Sequence, residues 1–395
     1  MFALDGRRNV LLLATSQALT LSAVVVSMTL AAILGGVLAP DRGLATLPVA
    51  AMVIGTALAS TPASLFMQRY GRRIGFFIGA GLGLAGSLLS AWGLQRRTSS
   101  GFVLGHLLMG GSQGFANYYR FAAVEAAGEK HASRAISWVV AAGVVAAFAC
   151  PQLAVSGRDW LAGDAFVGSY LAQALLSLMV LAMIAQLRLP AIAVGEQGEA
   201  RPLRQIVAQP ALRASVFGVA VGYAVMIMAM TATPLAMLGC GLDTNDVRPV
   251  IQWHVVGMFA PSFFTGALVA RHGAPRIMQF GFVLLLCHVG VAVAGVESWH
   301  FLSALILLGV GWNFAFIGGT ALLTQTYRPA EQTKVQSFNE SLIFGLVALA
   351  SLGAGWLYDR FGWNALNLAT VPLLLTALVT TVHLGRRLRA VAAAV

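Results

Sequence analysis

Twelve stretches of seventeen or more mostly apolar residues run along the chain. They lie near 10–38, 45–67, 74–94, 101–127, 132–155, 165–187, 212–239, 247–270, 276–295, 300–326, 332–357 and 364–384. A helix needs about 20 such residues to cross the roughly 30 Å hydrocarbon core of a bilayer. In lipid the backbone must close its own hydrogen bonds, so each stretch is predicted as a helix. The first is too long for a signal-peptide core and lacks a small-residue cleavage site followed by a soluble domain, so it is expected to be retained. The expected fold is an all-α polytopic membrane protein.

Composition agrees with that pattern. Of 395 residues, 58% are hydrophobic and 10% charged, and mean hydropathy is +0.80, outside the balance of a soluble domain. The isoelectric point near 10.4 would suit nucleic acid if the charge were gathered in one patch. It is spread instead over short connecting segments, so nucleic acid is not an expected partner and the lipid bilayer is.

Lys and Arg are retained on the cytoplasmic side of a membrane. With the N-terminus inside, 18 of the 25 fall in cytoplasmic segments, six in the opposite loops, and Arg120 lies within a span. Both termini are therefore expected in the cytoplasm. Cys150, Cys240 and Cys287 are scattered and odd in number, which argues against a disulfide framework.

One long polar segment, rich in Gly, Glu and Gln, separates the sixth stretch from the seventh. The predicted organisation is an N-terminal six-helix bundle over 1–187, a cytoplasmic linker over 188–211 and a C-terminal six-helix bundle over 212–395. An offset of 202 residues places Arg69-Tyr70-Gly71 on Arg271-His272-Gly273 and Glu129 on Glu331. Agreement at two separate loops points to a duplicated unit.

Over essentially its whole length the chain resembles the major facilitator superfamily. Arg69-Tyr70-Gly71-Arg72-Arg73 is similar to that family's signature loop, although Gln68 stands where an Asp normally precedes the Arg. The resemblance implies two pseudo-symmetric bundles rocking about a midplane site, lined by the first, fourth, seventh and tenth helices.

The sharpest candidate chemistry lies in the seventh and eighth stretches. Met226 and Met230, then His254 and Met258, are each spaced i to i+4, which puts each pair on one helix face about 6 Å apart along the axis. Counted from a hairpin near Leu242 and Asp243, Met230 and His254 stand at similar depth, with Met226 and Met258 one turn deeper. Thioether and imidazole without a carboxylate suit a soft ion such as Cu(I). Met is also a flexible filler of helix contacts, and membrane histidines bond across helices. One pair alone would say little; two pairs at matching depth say more.

The same four residues resemble the paired motifs of CcoA-type copper importers, a branch of the superfamily. That resemblance implies copper import across the bacterial cytoplasmic membrane in support of cytochrome c oxidase assembly. Copper is then cargo, and no cofactor is expected. Onward delivery would fall to a cytoplasmic copper chaperone or a copper-exporting ATPase. Branch members lacking the motifs carry other cargo, riboflavin included. The internal repeat maps Met230 onto Met28 and His254 onto Met52, two secondary metal candidates, and Cys240 at the periplasmic end of the seventh span is a third.

Arg120, after Asn117, Tyr118 and Tyr119 in the fourth span, requires a cavity or a counter-ion. Glu340 and Glu125 are the available carboxylates, and a gate through Arg120 and Glu340 is the preferred reading. No phosphate loop, dinucleotide fingerprint or hydrolase pattern marks an enzyme. Two rivals to copper import stand: a carrier of an organic molecule such as riboflavin or a drug, with Arg120 as main ligand beside Asn117 and Tyr118, and a copper-binding assembly factor or sensor that moves nothing.

Overall fold

The computed structural model describes residues 4–38, 47–148, 157, 166–189 and 200–393. Among these, nine helical segments are long and apolar enough to span a membrane. The other three expected spans are helical where they are described. The fourth is α4 (Ser99–Ala116) followed by α5 (Tyr119–Ala127), the fifth begins with α6 (Ala132–Ala141), and the eleventh is the first part of α14 (Gln332–Leu368). Cys150 lies outside the described residues.

Contacts divide the chain into two compact units, one of residues 1–131, 142–194 and 336–344, the other of 132–141, 195–335 and 345–395. In the first, α4 is central. It packs against α2 (Leu47–Tyr70) and α3 (Arg72–Gln95), while α1 (Leu4–Leu38) and α3 also pack on α7 (Val167–Ala185). The approach of α2 to α4 depends on Gly110, where a Cβ would collide with the Met52 carbonyl. Small residues give such close backbone contact where burial of apolar surface cannot drive association in lipid.

In the second unit, after the short α8 (Leu203–Val207), the hub is α13 (Ser298–Leu323). Around it pack α9 (Pro210–Gly239), α10 (Thr244–Phe259), α11 (Ser262–His272) and α12 (Ala274–Ala294). The last helix, α15 (Val371–Ala393), lies on α9 and α12. Gly309 lets α10 and α13 approach closely, because a Cβ there would stand 2.6 Å from the His254 carbonyl.

The repeat is visible in the backbone. Gly71 (φ 89°) ends α2 and starts α3, and Gly273 (φ 84°) does the same between α11 and α12. Both adopt a left-handed conformation that glycine enters without a Cβ penalty. Two spans predicted as continuous are broken. The fourth is interrupted at Asn117 and Tyr118, and the eighth at Ala260 and Pro261, where proline lacks the N–H that a helix interior needs.

Candidate functional site

The break in the fourth span lies beside its charged residue. Arg120, 7% exposed, donates from Nη2 to Oε1 of Glu340 at 2.5 Å, and Asn339 donates to the same oxygen at 2.8 Å. Glu340 is fully buried and belongs to the 336–344 segment of the first unit. The Arg120 guanidinium also lies 4.8 Å from the Phe121 ring centre. Tyr118 donates its hydroxyl to the Ser60 carbonyl, and Asn117 accepts a hydrogen bond from Gln113.

Glu125, the alternative partner considered for Arg120, is bound instead by Arg72 at 2.5 Å. Arg72 donates as well to Gln336 at 2.8 Å and lies 5.7 Å from the ring centre of Tyr118. Arg72 of the signature loop thus has a carboxylate despite Gln68, and that carboxylate comes from 53 residues away.

Met230 stands nine residues before the end of α9 and His254 ten after the start of α10. Met226 and Met258 are buried, Met230 is half-buried, and His254 is fully enclosed. However, α9 and α10 make little contact with each other, and both lie along α13. His254 turns toward that helix, donating from Nδ1 to the Leu305 carbonyl at 2.8 Å. Its Nε2 has no partner.

Among the described residues no group of three or more His, Cys, Asp or Glu side chains gathers. A metal on this path would have to use thioethers. Of the secondary candidates, Met28 is 38% exposed, Met52 is buried in the core of the first unit beside Met109 and Phe102, and Cys240 is exposed at the end of α9.

Sequence reasoning missed two features of the second unit. Tyr223 of α9, Phe259 of α10 and Trp312 and Phe316 of α13 form one aromatic cluster. Trp312 stacks on Phe316 at 4.7 Å, and Tyr223 meets the edges of both rings at 5.3 and 5.9 Å. Phe259 stands 6.0 Å from Trp312. Trp312 is buried and its indole N–H lacks an acceptor. The i, i+4 spacing of Trp312 and Phe316 was the only available signal, and aromatics are ordinary in apolar spans.

The other feature is Asn313, fully buried. It donates to the Met258 carbonyl at 2.6 Å and to the Ser262 hydroxyl, and accepts from Thr265 at 2.8 Å. Asn313 ties the broken α10–α11 segment to α13 and thereby fixes the end of the helix that carries His254 and Met258.

Comparison with known proteins places these features in a family. The model of the Major Facilitator Superfamily matches residues 248–393. The chain is 40% identical over 382 residues to the riboflavin transporter RfnT of Brucella anthropi, covering 95% of this chain and 96% of that one. Among solved structures it superposes on the human organic anion transporter MFSD10 with TM-score 0.77 and 14% identity, over 96% of this chain and 100% of that one. FucP in its outward conformation matches with TM-score 0.76 and 13% identity, over 94% and 97%. At such identities the structures testify to the fold, while the near-full-length relative carries the kinship: the chain belongs to the major facilitator superfamily of membrane transporters.

Proposed function

We propose that this secondary transporter carries a flat, uncharged heteroaromatic molecule of the riboflavin type. The observation that carries the reading is the 40% identity to RfnT along nearly the whole chain, which favours an organic cargo over the copper expected from the Met and His spacing. The aromatic cluster of Tyr223, Phe259, Trp312 and Phe316 supports it. Aromatic faces stack on a fused ring system, and a few convergent polar groups fix its orientation. The free indole N–H of Trp312 suits a ring carbonyl. Arg120 is less suited as main ligand, because riboflavin is neutral and Glu340 already takes up that charge.

The excess of Lys and Arg in alternate connecting segments supports a place in the bacterial cytoplasmic membrane with both termini inside. Uptake of labelled riboflavin by cells unable to make or import it tests the cargo. Expression should restore uptake, and Trp312→Ala should reduce it at least tenfold with the protein still in the membrane. Background uptake from the intact chain would end the flavin reading.

A second reading, copper import, is favoured by one specific observation. His254 keeps a buried Nε2 without a partner, and Met258 stands one turn away on the same helix. Copper uptake by the same cells, with and without His254→Ala, separates the two cargoes.

A further inference from the structure

The outer face of α1 carries charge at one end and apolar side chains directly below it. Arg7, Arg8, Leu11, Leu12 and Thr15 line an open recess of about 310 Å³. Arg7, Arg8, Leu11 and Thr15 are exposed and Leu12 is half-buried, whereas Gly6, Asn9 and Val10 turn into the unit and are buried. The i to i+4 spacing stacks Leu11 under Arg7 and Leu12 under Arg8. Asp5 is the single acid among the first forty residues, so this end of the helix has an excess of positive charge.

Neighbouring elements add charge of the same sign. Asn9 clasps the chain after α7: its amide donates to the Arg188 carbonyl at 2.8 Å, and its Oδ1 accepts from the Arg188 N–H at 3.1 Å. Three residues earlier, the Ala185 carbonyl accepts from Nη2 of Arg73 at 2.5 Å. Arg73 and Arg188 are both exposed. The start of α1, the start of α3 and the end of α7 thus bring four guanidinium groups to one rim of the first unit. Among the described residues none of the four is paired with a carboxylate. Arg72 shows the other arrangement, buried and bound to Glu125.

The internal repeat does not account for the pair on α1. At the offset of 202, Arg7 and Arg8 fall on Gln209 and Pro210. The nearest arginine there, Arg213, gives its guanidinium to the Val207 and Ala208 carbonyls.

The depth of each residue along α1 fits a phospholipid. The headgroup layer is about 5–8 Å thick on each side of the hydrocarbon core, and four residues of helix rise about 6 Å. Guanidinium groups at headgroup depth therefore set Leu11 and Leu12 against the upper part of an acyl chain. Guanidinium forks match phosphate oxygens. With no carboxylate paired to them, these arginines offer an ammonium headgroup nothing, and an anionic one everything it lacks.

We propose that Arg7 and Arg8 hold the phosphate of one anionic phospholipid, with its acyl chain along Leu11 and Leu12, in the leaflet on the N-terminal side of the membrane. Arg73 and Arg188 enlarge the attraction without being needed for the contact. The site serves either cargo, since no residue of the aromatic cluster or of the Met and His pairs takes part.

The test is native mass spectrometry of the full-length protein in detergent, titrated with phosphatidylglycerol or with phosphatidylethanolamine of the same acyl chains. The intact protein should retain one phosphatidylglycerol in preference. Arg7→Gln and Arg8→Gln should each weaken that binding about fivefold, and the double variant about 25-fold, with phosphatidylethanolamine unaffected. Arg271→Gln, an equal loss of charge at an exposed position of the second unit, should change neither. Should the variants insert poorly, a phosphatidylglycerol with a photoreactive acyl chain should label the intact protein on the peptide that holds Leu11 and Leu12. Equal retention of the two lipids, unchanged affinity in the double variant, or label confined to other peptides would overturn the proposal. Displacement of the lipid by millimolar inorganic phosphate would overturn it too, leaving a site for a free anion.

Discussion

The two units handle buried polar chemistry differently. In the first, His106 is closed at both ends: Nδ1 bonds the Phe102 carbonyl at 2.9 Å and Nε2 meets the Tyr170 hydroxyl at 3.2 Å. The buried charges there are also met, Arg120 by Glu340 and Arg72 by Glu125. Among the described residues of that unit no buried imidazole or indole nitrogen is left unpaired; the loose atoms are on groups such as the Ser16 and Thr98 hydroxyls, the Gln113 amide and Oε2 of Glu340. In the second unit, His254, His288 and Trp312 carry no charge partner, and each leaves a ring nitrogen unpaired. An unmade hydrogen bond in the interior costs more than a made one gains. On the proposed function, the open groups are where a cargo has something to satisfy, whereas the closed ones hold helices together.

The strongest way to break that comparison is at the ion pair. Glu340→Ala removes the carboxylate from a buried guanidinium and should destabilise the protein by about 3–5 kcal/mol, with Glu340→Gln costing less. Thermal and denaturant melting in micelles would measure it. A loss no larger than that of His254→Leu would contradict the division into closed and open groups.

A smaller effect sharpens it. His106→Leu leaves the Tyr170 hydroxyl buried without its partner and should cost roughly 1–3 kcal/mol, while His254→Leu removes an unsatisfied nitrogen together with one hydrogen bond and should cost less than about 1 kcal/mol. Equal losses would mean that His254 is as structural as His106.

A pH-dependent effect lies outside the membrane-spanning helices. Glu331 accepts two charge-assisted bonds from Arg201 at 2.6 and 2.7 Å, and the guanidinium holds its carboxyl down from 4.5 to about 2. The folded value is depressed, so the associated stability is present above the unfolded value near 4.5 and is lost as pH falls toward 2. Melting temperature should drop over that window in the intact protein and less steeply in Arg201→Gln. Parallel curves would remove the pair as the cause.

Much of the architecture was legible because a bilayer converts hydrophobic length directly into helices. The repeat was legible through Gly71 and Gly273, whose positive φ few other residues tolerate. The Arg120–Glu340 pair was legible because a buried cation demands a carboxylate and few were available. Glu125 was not, since its partner Arg72 lies on another helix and the sequence offered Glu125 only as the second choice of partner for Arg120. The bonding of His254 and His288 to neighbouring α13 carbonyls was not legible either, because no spacing within one helix encodes it. The aromatic cluster likewise exists only once three helices are assembled.

The Trp312 cluster also has an optical consequence. Among the described tryptophans, Trp92, Trp138, Trp253, Trp299 and Trp356 are roughly half exposed or more, while Trp312 and Trp363 are buried. Trp363 already donates to the Ala292 carbonyl, which leaves Trp312 as the buried indole whose hydrogen bonding a cargo can change. With Trp160 and the five exposed rings replaced by phenylalanine, the remaining emission would come from Trp312 and Trp363, and Trp312 would serve as an internal dye, moving to longer wavelength when its N–H finds an acceptor and dimming when a flavin stacks beside it.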